Sequence, residues 1–293
     1  MMELDRSSLQ SKVNEMYRRD HERLGPAGTY DLLDRAAERW DLSGALEDGG
    51  VITFAHVSVE DCGLHVAAAV NAALDTGADT VLAVSVLHAF TEEMELARRE
   101  VADGGSPWDH PTWGIQGPGL DFRDEWRGDH AMQSLRHFWS AETERRGIKN
   151  RRLVERYPYL AGGRPGDLPN LDETSRIADD AVIVATGDQF HHGIGYGMTS
   201  GESLEPDKGG LEAARVSMER GIGLIEDGDH WGYNQHCVEA RSDDRDTAQL
   251  YRFLRGPLEG RLIEIGWSDS TELYDQPAPT WAAGGFIVFE PPS

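Results

Sequence analysis

The chain has 293 residues, enough for one large α/β domain or two small ones, each with a real core. It carries 52 acidic against 28 basic residues, and a net charge of −24 repels phosphate backbones, which argues against nucleic-acid binding. No apolar run reaches the roughly 18 residues that a membrane span needs, Met1 to Gln10 has no signal-peptide core, and two cysteines, Cys62 and Cys237, cannot form a disulfide framework, so a cytoplasmic setting is expected.

Lysine occurs only at Lys12, Lys149 and Lys208, and the acids are spread along the whole chain. Such a surface suits concentrated salt, where screening removes the repulsion, so a halophilic working environment is expected.

Residues 1–49 read as two polar, amphipathic helices broken at Gly25-Pro26-Ala27-Gly28, a helical segment packing on the core and carrying no chemistry. Val51 to Ala55 is a strand that ends in His56, Leu64 to Leu74 a buried Ala- and Val-rich helix, and Thr80 to Val86 a strand followed by His88. That β-α-β spacing predicts two parallel neighbours with a right-handed crossover and sets the two histidines side by side. Either histidine alone is more often a hydrogen-bonded structural residue. Both positions filled favours a site, neutral imidazole being the commonest metal ligand.

A charged helix over Thr91 to Glu100 leads into a Gly-, Pro-, Trp- and Asp-rich excursion, 103–127. Its Trp108, Trp113 and Trp126 suggest a lid-like insertion that walls a substrate pocket, or an insert packed only for stability. Asp129 to Arg146 reads as a helix with His130 and His137 on one face, and Arg145 to Arg156 as a basic, solvated stretch.

The apolar run Ala181 to Ala185 enters Thr186-Gly187-Asp188, then His191-His192-Gly193. In open α/β sheets ligands bind just outside the carboxyl ends of such strands, so an acid and two imidazoles there form a site candidate. A loop whose Asp and His merely bond the backbone is the competing reading. Gly193 to Gly197 lacks the G-x-G-x-x-G spacing and is a weak phosphate cradle. Further on, Asp227 to Cys237 is a polar loop holding His230, His236 and Cys237. Asp243-Asp-Arg-Asp reads as the acidic start of a helix running to Leu254. Arg261 to Trp267 and Gly285 to Glu290 are late strands, antiparallel to each other.

The order of these features resembles the Memo family and, through it, the class III extradiol dioxygenase superfamily. The resemblance runs from Val51 to Glu290: two strands ending in His56 and His88, an acid-His pair at Asp129-His130, Thr186-x-Asp188-x-x-His191-x-Gly193, a late Cys237 and a closing strand pair. It departs from the family at Val57-Ser58-Val59, at Ser85-Val86-Leu87, and at Ala131 and Gln133, which suggests a divergent branch.

The resemblance implies a single three-layer α/β/α domain over 50–293, with a mixed, largely parallel central sheet and one metal-sized pocket. Class III extradiol dioxygenases hold non-haem Fe(II) with two histidines and a glutamate, and Memo-like proteins place a cysteine near that glutamate. Carried over, the metal ligands are His56, His88 and Cys237, with Asp188 and His191 as pocket or acid–base residues. His192 drops out, because the position before the glycine is not the family's functional histidine.

The chemistry follows on its own terms. Two imidazoles and one anion on one face of a metal leave positions open for O₂ and substrate together. A Cys237 thiolate is softer than a carboxylate and makes copper plausible beside iron, although a free cysteine also serves as a small buried hydrophobe. His236 and Glu239 are rival third ligands. His191 can exchange protons near working pH, and Asp188 can orient an imidazole.

The expected function is a metal-dependent oxidoreductase, an Fe(II) oxygenase using O₂ on a small substrate, an aromatic one among the candidates. A zinc-type metallohydrolase and a non-catalytic Memo-like binding protein are the alternatives. A homo-oligomer is left open.

Overall fold

The computed structural model describes residues 6–292, so the first five residues of the N-terminal helical segment lie outside it. The segment's main part, α1 (Arg6–Arg39), is two helices joined at a kink where Gly25 takes φ 58° and Pro26 supplies no backbone donor. After α2 (Ser43–Glu47) come β1 (Val51–Phe54), α3 (Val59–Asp75), β2 (Thr80–Val84) and α4 (Glu92–Ala102). The middle of the chain forms β3 (Gly114–Gln116), α5 (Gln133–Arg145), β4 (Arg152–Tyr159), α6 (Leu171–Ala178), β5 (Val182–Thr186) and β6 (Phe190–Gly193). Then follow α7 (Lys208–Glu226), α8 (His230–Ala240), α9 (Arg245–Arg255), β7 (Glu259–Asp269), α10 (Thr271–Tyr274) and β8 (Thr280–Glu290).

These make one α/β/α domain around a mixed, largely parallel sheet of order β3-β4-β2-β5-β1-β8-β6, with β7 paired to β8. Strands β4, β2, β5 and β1 run parallel, whereas β3 and β8 are antiparallel to their neighbours. Alternate residues of the central strands bury on opposite faces. Ile52, Val81, Val184 and Phe286 meet Leu33, Val66 and Phe138 from α1, α3 and α5. Val51, Leu82, Ile183 and Ile287 meet Ile225, Tyr233 and Leu250 from α7, α8 and α9. Burial on both faces is why these strands read as unbroken apolar runs rather than as alternating ones.

Three expectations need correction. First, β1 and β2 are not neighbours, because β5 lies between them and pairs in parallel with both. Second, much of the basic stretch is a strand. β4 pairs with β2, Arg156 is almost fully buried, and Glu155 is satisfied by Arg136 and the Tyr157 hydroxyl. Third, His130 lies before α5 rather than on a helix face with His137. The His137 ring instead stacks on His21 of α1, with centroids 4.4 Å apart and planes 4° from parallel.

That stacked pair gives an acid dependence. Burial, and then the neighbouring His137, push His21 down to about 4 from an ordinary 6.5, and burial also lowers His137. Both rings are therefore neutral in the fold, whereas the unfolded chain takes protons near pH 6.5. Their contribution is present above that value and is lost as the pH falls toward 4. Melting temperature against pH should drop more over pH 6.5 to 4 for the native chain than for His21→Gln. Parallel curves would remove the pair as a cause.

The 103–127 excursion is partly ordered into the sheet, since β3 adds an antiparallel edge to β4. Trp126 stacks on Tyr157 and Trp113 packs against the core, while Trp108 is about half exposed. Acids such as Asp31, Asp41, Glu47 and Asp48 are exposed, as the salt argument requires. Stability should accordingly rise with potassium chloride from about 0.1 M upward, as the screening length falls below roughly 10 Å. A melting temperature indifferent to salt would contradict that reading.

Candidate metal centre

Because β2, β5 and β1 are adjacent and parallel, their carboxyl ends open on one spot. Past β1, Ala55 leads to His56. Past β5, Gly187 donates its N–H to the Phe54 carbonyl at 3.2 Å and keeps the two chains together for one more residue. Asp188 then accepts the His56 backbone N–H on Oδ1 at 3.0 Å. Past β2, His88 arrives with its own N–H donated to Asp129 Oδ2 at 2.7 Å.

A fourth segment joins them, the turn between α8 and α9. Ser242 Oγ donates to the Asp188 carbonyl at 3.0 Å, and Asp243 N–H donates to the same carbonyl at 3.2 Å. In return the Asp188 N–H donates to Asp243 Oδ1 at 2.8 Å. This reciprocal tie fixes Asp243 and leaves Oδ2 facing the histidines. It needs a glycine next door: a Cβ on Gly187 would lie 2.5 Å from Cβ of Asp244.

The result is a near-equilateral triangle. His56 Nε2 and His88 Nε2 are 3.3 Å apart, and Asp243 Oδ2 lies 3.3 Å from the first and 3.4 Å from the second. The ring orientations are set from behind. Thr186 Oγ1 donates to the Phe54 carbonyl and so accepts His56 Nδ1–H at 3.1 Å, while both oxygens of Asp129 lie 3.1 Å from His88 Nδ1. With both Nδ1 atoms protonated, both Nε2 lone pairs point into the triangle, the arrangement in which outer carboxylates and hydroxyls orient metal-ligating histidines.

The electrostatics call for a cation. Asp243 Oδ2 is buried without a hydrogen-bond partner. Burial opposes charge on His56, but Asp188 and Asp243 outweigh it and raise its pKa. Burial also opposes charge on His88, yet Asp129 and Asp243 lift it to about 10. Asp243, despite its burial, is held well below the carboxylate range by His56, His88 and His191. In the protein alone, protons supply the positive charge that a metal ion would supply in their place.

Two sets overlapping the triangle also bring donors within 4.8 Å of one another: His56, His88 and His130, and His56, Asp188 and Asp243. Asp188 Oδ2 is 3.7 Å from His56 Nε2. His191, on β6, puts Nε2 3.5 Å from Asp243 Oδ2, and its ring lies parallel to Tyr196 at 4.6 Å. His130 stacks on His88 at 4.2 Å. Burial, and then the His88 charge, push its pKa well down, so it stays neutral.

Cys237 belongs to neither group. It lies on α8 among Tyr233, Ser242 and Asp244, almost fully buried, and burial followed by the Asp244 charge raises its thiol to about 12. It is therefore a thiol rather than a thiolate at working pH, and the anion facing His56 and His88 is Asp243. The rival ligands also lie elsewhere. His236 faces Ser217 at 3.5 Å, and exposed Glu239 pairs with Arg220 at 2.9 Å. His192 accepts the Leu204 N–H at 2.9 Å and stacks on Phe190, opposite His191 as strand alternation requires.

A cleft of about 800 Å³ is bounded by Arg98 and Glu95 on α4, Tyr196, Cys237, Ser242, Arg245 and Tyr274; it touches none of the cluster's donors but includes Ser242, next to Asp243, and Tyr196, which stacks on His191. None of the excursion's tryptophans lines it, so the aromatic wall comes from two tyrosines instead. No family model matches this chain, and no curated protein matches it in sequence.

Proposed function

We propose that the chain is a non-haem metal enzyme of the class III extradiol type, an Fe(II)-dependent oxygenase acting on a small substrate. His56, His88 and Asp243 would hold the metal. The observation that carries this reading is the triangle of two imidazoles and one carboxylate, each fixed from behind, with an orphaned carboxylate oxygen at one corner. A two-His, one-carboxylate face is the set that non-haem iron uses to take O₂ and substrate at its open positions. The Memo-like resemblance is kept with one change: a carboxylate takes the place proposed for the cysteine, which favours iron over copper.

Around that face the chain's own groups have separate tasks. Asp129 and Thr186 hold the two imidazoles in the ligating tautomer. Asp188 ties the His56 backbone to the Asp243 turn. His191, at the rim and stacked on Tyr196, is the group placed to take or return a substrate proton at Nε2. His130 stays neutral and packs against His88, keeping water from its ring face.

A second reading, a zinc hydrolase, is favoured by one measurement. Donor separations of 3.3–3.4 Å match the edge of a tetrahedron with metal bonds of about 2.0–2.1 Å, whereas an octahedral face of similar bonds gives about 3.0 Å. Anaerobic reconstitution with Fe(II), and separately with Zn(II) or copper, followed by metal analysis, separates the two. Close to one iron per chain, with O₂ uptake on addition of catechol-type compounds, is expected. Less than a few tenths of an equivalent, or ester hydrolysis by the zinc form without O₂, would sink the oxygenase reading.

A further inference from the structure

The cleft beside the cluster contains an arrangement that the metal chemistry leaves unexplained. In this strongly acidic chain, arginines as far apart as Arg18, Arg99, Arg145 and Arg215 each sit on a carboxylate. Arg98 and Arg245 do not. Among the described residues neither has a carboxylate within ion-pair distance, and the guanidinium of Arg245 reaches only the Arg98 carbonyl, at a long 3.4 Å. Arg245 is 8 % exposed, and its Nε is buried with no hydrogen-bond partner. Both residues line the cleft.

The buried Arg245 guanidinium, with an idle Nε donor beside the part-buried Arg98, is costly unless an anion completes it. Each guanidinium offers parallel N–H donors that match a planar carboxylate. Asp246 lies on the same helix turn, but its oxygens already accept the Leu160 and Ala161 N–H groups at 3.0 and 2.8 Å. Two tyrosines also line the cleft, together with Glu92 and Glu95. Tyr196 and Tyr274 meet at 4.7 Å with planes 58° apart, and Tyr196 in turn covers His191. Ser242, another lining residue, precedes the cluster's Asp243.

We infer that Arg98 and Arg245 form a carboxylate clamp, and that the substrate is a small carboxylic acid whose apolar body runs past Tyr196 toward His56, His88 and Asp243. This deepens the proposed function and rests on the cleft serving that cluster. In a protein of net charge −24 the surrounding field repels anions, so a paired cationic pocket is what would admit one.

The test uses benzoate, its neutral isostere benzamide, and phenyl phosphate, titrated calorimetrically into the full chain at fixed potassium chloride. Benzoate should bind at least about tenfold more tightly than benzamide, as charge-assisted bonds are roughly twice as strong as neutral ones. Arg245→Met and Arg98→Met should each erase that preference. Circular dichroism and melting temperature report whether each variant is folded. His88→Ala should still bind benzoate, so loss of the metal reading and loss of the clamp give different results. Equal binding of benzoate and benzamide, an unchanged preference in both methionine variants, or a tighter phenyl phosphate complex would each overturn the assignment.

Discussion

Asp243→Ala should weaken divalent-cation binding by at least about 100-fold, because even residues behind a ligand are worth about 10–100-fold in affinity. Cys237→Ser should leave it within about twofold. The contrast follows from position. Asp243 Oδ2 lies 3.3–3.4 Å from both imidazole nitrogens with no other bond to make, while Cys237 is a protonated thiol packed against Tyr233 and Asp244. Asp243→Asn is the companion variant. Its amide oxygen can still accept the Asp188 N–H, so the turn stays tied while the charge is gone. Equilibrium dialysis of anaerobically loaded protein reads the outcome. Metal retained in both Asp243 variants and lost in Cys237→Ser would reverse the assignment.

Gly187→Ala should destabilise the chain by about 1–3 kcal/mol, the usual cost of overpacking, and should disable metal binding as well. The added methyl would sit 2.5 Å from Cβ and Oδ1 of Asp244, so the turn carrying Asp243 must retreat and break its ties to Asp188. Gly223→Ala, in the last turn of α7 with open space around it, is the control. It should stabilise by up to about 1 kcal/mol through helix propensity alone. Denaturant melts of the two variants should therefore move in opposite directions, and only Gly187→Ala should lose metal. Comparable stability and full metal content in Gly187→Ala would show that the turn has room the structure does not show.

The strand-end histidines were legible because a buried parallel strand is a continuous apolar run and its end is abrupt: Phe54-Ala-His56, then Val84 to His88, then Thr186 to Asp188. Asp243 was not legible. Among 52 acids, an Asp-Asp pair opening a helix is read as complementing the helix dipole, yet Asp244 makes no side-chain cap and Asp243 turns away to the histidines. The one local hint was Ser242 beside two acids, just past the 227–237 stretch, which reads as a polar loop but folds largely as α8. The position of β5 between β1 and β2 was hidden for a different reason. Strand order is fixed by long-range pairing, which no local pattern records. Strand β4 was masked by its charges, since Glu155 and Arg156 look solvated until Arg136 and Glu173 are seen to neutralise them.

The tie between Asp188 and the Asp243 turn also bears on how the molecule comes into being. His56 and Asp188 bond across 132 positions of chain, and Asp188 and Asp243 across a further 55. Closing loops of that length is entropically late and kinetically slow, and no early, locally structured intermediate can hold these groups together. A metal held by the proposed site would thereby be captured only at the end of folding. Refolding watched by metal uptake should lag behind refolding watched by helix signal, which makes the ion a timer of completion rather than a template for the chain.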